Sequence, residues 1–140
     1  MIKNLSRFVL FFIIILALSG CAVFGVGEKK PVLKHDAQFY IQEGDNYLNA
    51  ENYDMAIESY SNALKKDAKS IETRRKLAEI YVKLGNIDLA LQEFDNIIKI
   101  NPKYIHAYNY KGFIYSDQGK WDLAIKEFES ALKIDPNNLY

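Results

Sequence analysis

Residues 112–132 read "GFIYSDQGKWDLAIKEFESAL", from Gly112 to Leu132, and the pattern returns twice upstream. The earlier copies are "AEIYVKLGNIDLALQEFDNII" (Ala78 to Ile98) and "GDNYLNAENYDMAIESYSNAL" (Gly44 to Leu64). Superposition aligns Gly44, Ala78 and Gly112, then Tyr47, Tyr81 and Tyr115, then Ala56, Ala90 and Ala124, then Tyr60, Phe94 and Phe128, each step being 34 residues without a gap. A fixed period of this size marks a stack of like units, none of which buries its apolar face alone. Each unit divides into two stretches of helical periodicity, about 14 residues each, separated by turn signals at Glu51-Asn52, Gly85-Asn86 and Gly119-Lys120. Asn101-Pro102 and Asp135-Pro136 close the second stretch of the later units, because proline disfavours helical geometry in the residue before it. The expectation is an all-α solenoid of helical hairpins, with units at 37–70, 71–104 and 105–138.

These columns resemble the tetratricopeptide repeat. The family's small, aromatic, Ala, aromatic, Ala, Pro series is met at Gly112, Tyr115, Ala124, Phe128, Ala131 and Pro136, and the resemblance implies three helix-turn-helix repeats over residues 37–138. Small residues let paired helices close to about 8–10 Å, and the aromatics fill the wedge between neighbouring pairs. The sequence departs from the pattern at Glu43 and Lys111 (large apolar in the family), Arg74 (aromatic or Leu), Ile97 (Ala) and Ala68 (Pro), which is expected to weaken individual contacts.

Family geometry implies a concave face built from the first helix of each pair. The residues expected to look into it are Gln38, Ile41, Asp45 and Leu48, then Glu72, Arg75, Glu79 and Val82, then His106, Asn109, Phe113 and Ser116. Ile41, Asp45, Leu48, Arg75, Glu79, Val82, His106, Asn109 and Phe113 are the candidate partner-binding residues, apolar anchors supplying affinity and charges setting register. Chaperone-binding tetratricopeptide domains resemble one another in a Lys/Asn and Lys/Arg clamp on a terminal carboxylate. Here Ile41, Asp45, His106 and Tyr110 stand in its place, and Asp45 would repel that ligand. A stack also needs its last apolar edge covered. Leu123, Ile125, Leu132 and Ile134 are expected to face a fourth unit, a partner, or a second copy in a homo-oligomer.

Little else in the chain carries chemistry. The two histidines, His35 and His106, have no Cys or His at metal-binding spacing, and no phosphate loop or nucleophile set is present. Glu127 and Glu129 sit two apart on a helix, point to different faces and are expected to be solvated charges. No enzyme activity, cofactor or metal is expected. Lys plus Arg and Asp plus Glu are equal at 18 each, so no field gathers nucleic acid.

The amino terminus reads as a basic start (Lys3, Arg7), an apolar run (Phe8 to Leu18) and two small residues before Cys21, a signal-peptide layout. The run is shorter than the about 20 residues a spanning helix needs, although a count extended from Phe8 to Gly27 leaves an uncleaved anchor open. Leu18-Ser19-Gly20-Cys21 resembles the bacterial lipoprotein lipobox. The resemblance implies a leader over 1–20, a diacylglycerol thioether on Cys21, the chain's single cysteine, and anchoring through several acyl chains. Ala22 rather than Asp after it implies the outer membrane, facing the periplasm, in a Gram-negative cell. Residues 21–36 contain Pro31, Gly25 and Gly27 and no regular period, so a flexible tether is expected. The functional expectation is a membrane-tethered scaffold that binds another envelope protein or peptide segment. Type IV pilus or secretin assembly is its named role, and an accessory subunit of a cell-wall synthase or hydrolase complex is the alternative.

Overall fold

The computed structural model describes residues 35–137. The expected leader over 1–20, the lipidation site Cys21 and the tether 21–36, apart from His35 and Asp36, lie outside the described residues. Six helices follow: α1 (Ala37–Asn49), α2 (Tyr53–Lys66), α3 (Ile71–Lys83), α4 (Ile87–Ile100), α5 (Ile105–Asp117) and α6 (Trp121–Ile134). No strand occurs among the described residues, and no helix there is long and apolar enough to cross a membrane.

Local chemistry sets the boundaries. Asp36, Asn52 and Ser70 cap α1, α2 and α3, their side-chain oxygens accepting from the N–H groups of Phe39, Met55 and Thr73 at 2.9, 3.3 and 3.3 Å. Each satisfies a donor that the first helical turn leaves unpaired. At the inner turns the chain passes through the left-handed region at Glu51 (φ 56°), Gly85 (φ 75°) and Gly119 (φ 70°). This lets the N–H of Asn52, Asn86 and Lys120 return to the carbonyls of Tyr47, Tyr81 and Tyr115 at 2.9, 2.8 and 2.8 Å, closing each helix with a Schellman motif. Between hairpins, Asp67, Asn101 and Asp135 each accept from the N–H two residues on at 3.0 Å, an Asx turn.

Helices α1/α2, α3/α4 and α5/α6 form the hairpins, and α2 packs on α3 as α4 packs on α5. One core cluster joins Ala56 and Tyr60 of α2 to Leu77 and Ile80 of α3, and the other joins Ala90, Phe94 and Ile97 of α4 to Ala78, Ala107 and Ile114. The glycine column sets how closely paired helices approach. A methyl on Gly44 would lie 2.7 Å from the Tyr60 ring, and one on Gly112 would lie 2.5 Å from that of Phe128.

Three of the departures from the family pattern, Lys111, Arg74 and Glu43, find polar partners in the structure. Lys111 is almost fully buried, yet its ammonium reaches Asp95 at 2.8 Å and Glu127 at 3.0 Å, tying α5 to both α4 and α6. Those carboxylates outweigh the burial that opposes its charge and hold its pKa above the ordinary lysine value. Glu127 is therefore not the solvated charge expected from sequence: it is only 15% exposed and serves as a partner of Lys111. Arg74 binds Glu93 at 2.6 Å and donates to the Ala68 carbonyl at 2.8 and 3.2 Å, locking the turn that has no proline. Glu43 accepts from the Ser59 hydroxyl at 2.9 Å, and Ile97 is fully buried.

Candidate functional site: the α1/α3/α5 face

Helices α1, α3 and α5 are linked side by side by a polar contact that recurs at the repeat spacing. Lys76 of α3 reaches Asp45 of α1 at 2.6 Å, and the Tyr110 hydroxyl of α5 donates to Glu79 of α3 at 3.1 Å. Both partners advance by one repeat, so one position supplies the carboxylate and another the donor at each junction. Tyr60 adds a 2.6 Å hydrogen bond to Asp45 from α2. Burial opposes the Asp45 charge, but the bonds from Lys76 and Tyr60 win and hold its carboxyl below its ordinary value. Burial and the Asp45 carboxylate push the Tyr60 phenol up. Within α3, Arg75 grips Glu72 at 2.5 Å and also pairs with Glu79. The Arg75 hydrogen bond lowers the Glu72 pKa, and that Glu72 bond in turn raises Arg75 against the opposing effect of burial.

The candidate residues divide accordingly. Asp45 pairs with Lys76 across α1 and α3, while Arg75 and Glu79 belong to a second cluster with Glu72 and Tyr110. Leu48 packs against the α2/α3 core cluster, Ile41 is half-buried, and Val82 is exposed at the far end of α3. His106, Asn109 and Phe113 come together with Tyr110 around a depression of about 320 Å³ on α5. In it Asn109 is buried, while His106 is exposed and meets Tyr104 edge-on at 5.6 Å. Phe113 is 46% exposed and rests edge-on against Phe128 at 5.3 Å. Tyr110 stacks on buried Phe94 at 5.1 Å and 10°. Tyr110 and Lys76 were absent from the residues expected to bind a partner. The 31-residue separation of each donor from its carboxylate was the available signal, legible once the contact is known to recur. Among the described residues no group of three His, Cys, Asp or Glu side chains stands ready to hold a metal.

Stacked helical hairpins with a laterally linked face are the architecture of a repeat protein that offers an elongated surface to another chain. Tetratricopeptide repeat family models match residues 47–111 and 106–138, and the chain belongs to the tetratricopeptide repeat family. Solved structures agree. The crystal structure of MamA is 27% identical with a TM-score of 0.68, over 72% of this chain and 59% of that one, so this chain spans less than two thirds of MamA. The first repeat domain of Spaghetti (RPAP3), bound to the HSP90 peptide SRMEEVD, is 25% identical with a TM-score of 0.65, over 74% of this chain and 82% of that one. The first repeat domain of human RPAP3 is 26% identical with a TM-score of 0.64, over 75% and 83%. No curated protein matches the sequence significantly.

Proposed function

We propose that this chain is a non-enzymatic, lipid-tethered interaction module of the bacterial cell envelope, held at the outer membrane and facing the periplasm in a Gram-negative cell. Its α1/α3/α5 face holds a segment of another envelope protein. The observation that carries this reading is the juxtaposition of an aromatic depression (His106, Tyr110, Phe113) with a strip of charges already paired among themselves. Exposed aromatics beside a rigid polar frame are how peptide-binding surfaces gain affinity. The charge strip also narrows the ligand. Arg75 and Lys76 are occupied by Glu72, Glu79 and Asp45, so they are poorly placed to grip an acidic peptide such as the SRMEEVD bound by the first repeat domain of Spaghetti (RPAP3). A segment anchored by apolar or aromatic side chains suits the face better. The named role is assembly of type IV pili or secretin pores.

A photoreactive residue in place of Phe113, activated in cells, tests the face. Adducts to a pilus or secretin protein support the named role, and adducts to wall polymerases or amidases move the reading to an accessory subunit of a wall enzyme. Absence of any Phe113 adduct removes the face as the binding surface. The tether is tested separately by labelling with a clickable fatty acid, whose signal must vanish in Cys21→Ser.

A further inference from the structure

The charges at the middle of the α1/α3/α5 face do not balance. Arg74 and Lys111 engage carboxylates of the second helices instead, Lys83 lies over the Tyr53 ring of α2, and Glu43 turns to Ser59 of α2. Two cations remain, Arg75 and Lys76, against three carboxylates, Asp45, Glu72 and Glu79. Lys76 matches Asp45, so the surplus negative charge falls between α3 and α5, where Arg75 alone serves both Glu72 and Glu79. Arg75 and Tyr110 both bond Oε1 of Glu79, and Oε2 takes neither bond. The Glu79 side chain is 36% exposed, so that oxygen is open to a further donor.

Tyr110 joins this carboxylate to the aromatic depression: its hydroxyl bonds Glu79, and its side chain lines the depression with His106, Asn109 and Phe113, none of them a lysine or arginine. Phe94 covers one face of the Tyr110 ring, yet the residue is still 37% exposed. Burial raises the Tyr110 phenol, and the charge of Glu79 raises it by more than that of Arg75 lowers it. At Tyr104, where burial also raises the phenol, Arg75 is the strongest of the nearby charges, so the negative side of the cluster is the one toward Tyr110. We propose that the depression receives an arginine side chain of the segment bound to this face, its guanidinium lying on the exposed aromatic rings and donating to Glu79. This rests on the reading of the face as a peptide-binding surface and names the chemistry of one anchor.

Other side chains suit the position less well. An apolar one would cover the open oxygen of Glu79 without supplying a donor, which costs the carboxylate its water for nothing in return. An acidic one would add a fourth negative charge to the three already there. Lysine would answer the charge, but its compact, strongly hydrated ammonium has no plane to lay on a ring, whereas a guanidinium stacks on aromatic faces and presents a fork of donors to a carboxylate. The apolar anchors of the segment keep their own contacts: Val82, one helical turn beyond Glu79, is exposed beside the arginine position.

The test pans random peptides displayed on phage against the full chain in mild detergent, with the Phe113→Ala chain as counter-selection so that retained clones bind this face. Arginine beside apolar residues is expected to dominate them. The strongest clone is then synthesised with its arginine or with citrulline, which keeps the shape of the side chain and removes its charge. Citrulline is expected to bind roughly 3- to 10-fold more weakly by titration calorimetry. In the double variant Glu72→Gln with Glu79→Gln, checked for helicity by circular dichroism, that difference is expected to vanish. Panning on it is expected to turn toward acidic clones, because Arg75 has lost both of its carboxylates. Phe113→Leu, which keeps an apolar side chain and removes the ring, is expected to shrink the preference for arginine while citrulline binding stays within about 2-fold. Equal binding of the arginine and citrulline peptides, or retained clones without arginine, overturns the arginine assignment and leaves the face as a binding surface. Failure to retain any clone overturns both.

Discussion

Repeats two and three place the same kinds of side chain at the same positions, yet Phe94 is fully buried and its equivalent Phe128 is not. Both pack against the first helix of their own hairpin; the difference is whether a further helix lies on the other side. Phe94 has Tyr110 stacked on it, whereas Phe128 meets Phe113, a residue of its own repeat. In such a stack burial belongs to the junction between units rather than to the unit, so the energetic weight of a position depends on its place along the array.

Truncating the aromatic column separates the two repeats most strongly. Phe94→Ala is expected to cost about 4 kcal/mol and Phe128→Ala about half of that, read as shifts in urea unfolding. Equal costs would show that the third repeat is as tightly built as the second. Lys111→Ala is expected to cost about 2–3 kcal/mol, because it leaves Glu127 with little water and no cation. The double change Lys111→Leu with Glu127→Leu should recover most of that loss, since Leu77 occupies the equivalent position without a charge.

A finer contrast comes from the glycines. Gly44→Ala drives a methyl into a Tyr60 ring that is buried and held through its hydroxyl by Asp45. A cost of about 2 kcal/mol is expected there, against about 1 kcal/mol for Gly112→Ala, where the Phe128 ring has an open side to move into. Thermal melts of the two variants decide the order. Glu51→Gly should gain about 0.5 kcal/mol, matching the first inner turn to the glycine turns of the other repeats.

The smallest expected effect is on pH dependence. Asp45 and Glu72 have carboxyl pKa values lowered in the folded state. Their stabilisation is full above the ordinary values of 3.8 and 4.5 and is lost as pH falls through the lower folded values. Melting temperature should therefore drop on acidification below about pH 4, and Asp45→Asn should flatten that drop. An unchanged acid limb in Asp45→Asn would mean that the link between repeats one and two carries no stability.

Much of the fold was legible in the primary structure because its signals are local and repeated. The turns at Glu51, Gly85 and Gly119 and the helix ends before Pro102 and Pro136 depend on backbone preferences of neighbouring residues. The site was legible only in outline. Helical spacing placed His106 and Phe113 on the same face, but Asn109 is buried and Leu48 belongs with the core, because spacing gives direction and not depth. Lys111, Arg74 and Glu43 read as flaws in isolation, and their carboxylate, carbonyl and hydroxyl partners lie 16 or more residues away or across a turn.

The period, the helical hairpins and the membership of each column are readable from the residues themselves, since these follow from turn chemistry and apolar spacing within one unit. The tertiary structure decides which member of a column is covered, which charges are paired, and that Trp121, Ile125 and Leu132 stay exposed among the described residues. Those outcomes depend on what lies across a junction, and the free energy of burying a side chain or a charge is set by its neighbours rather than by its own identity.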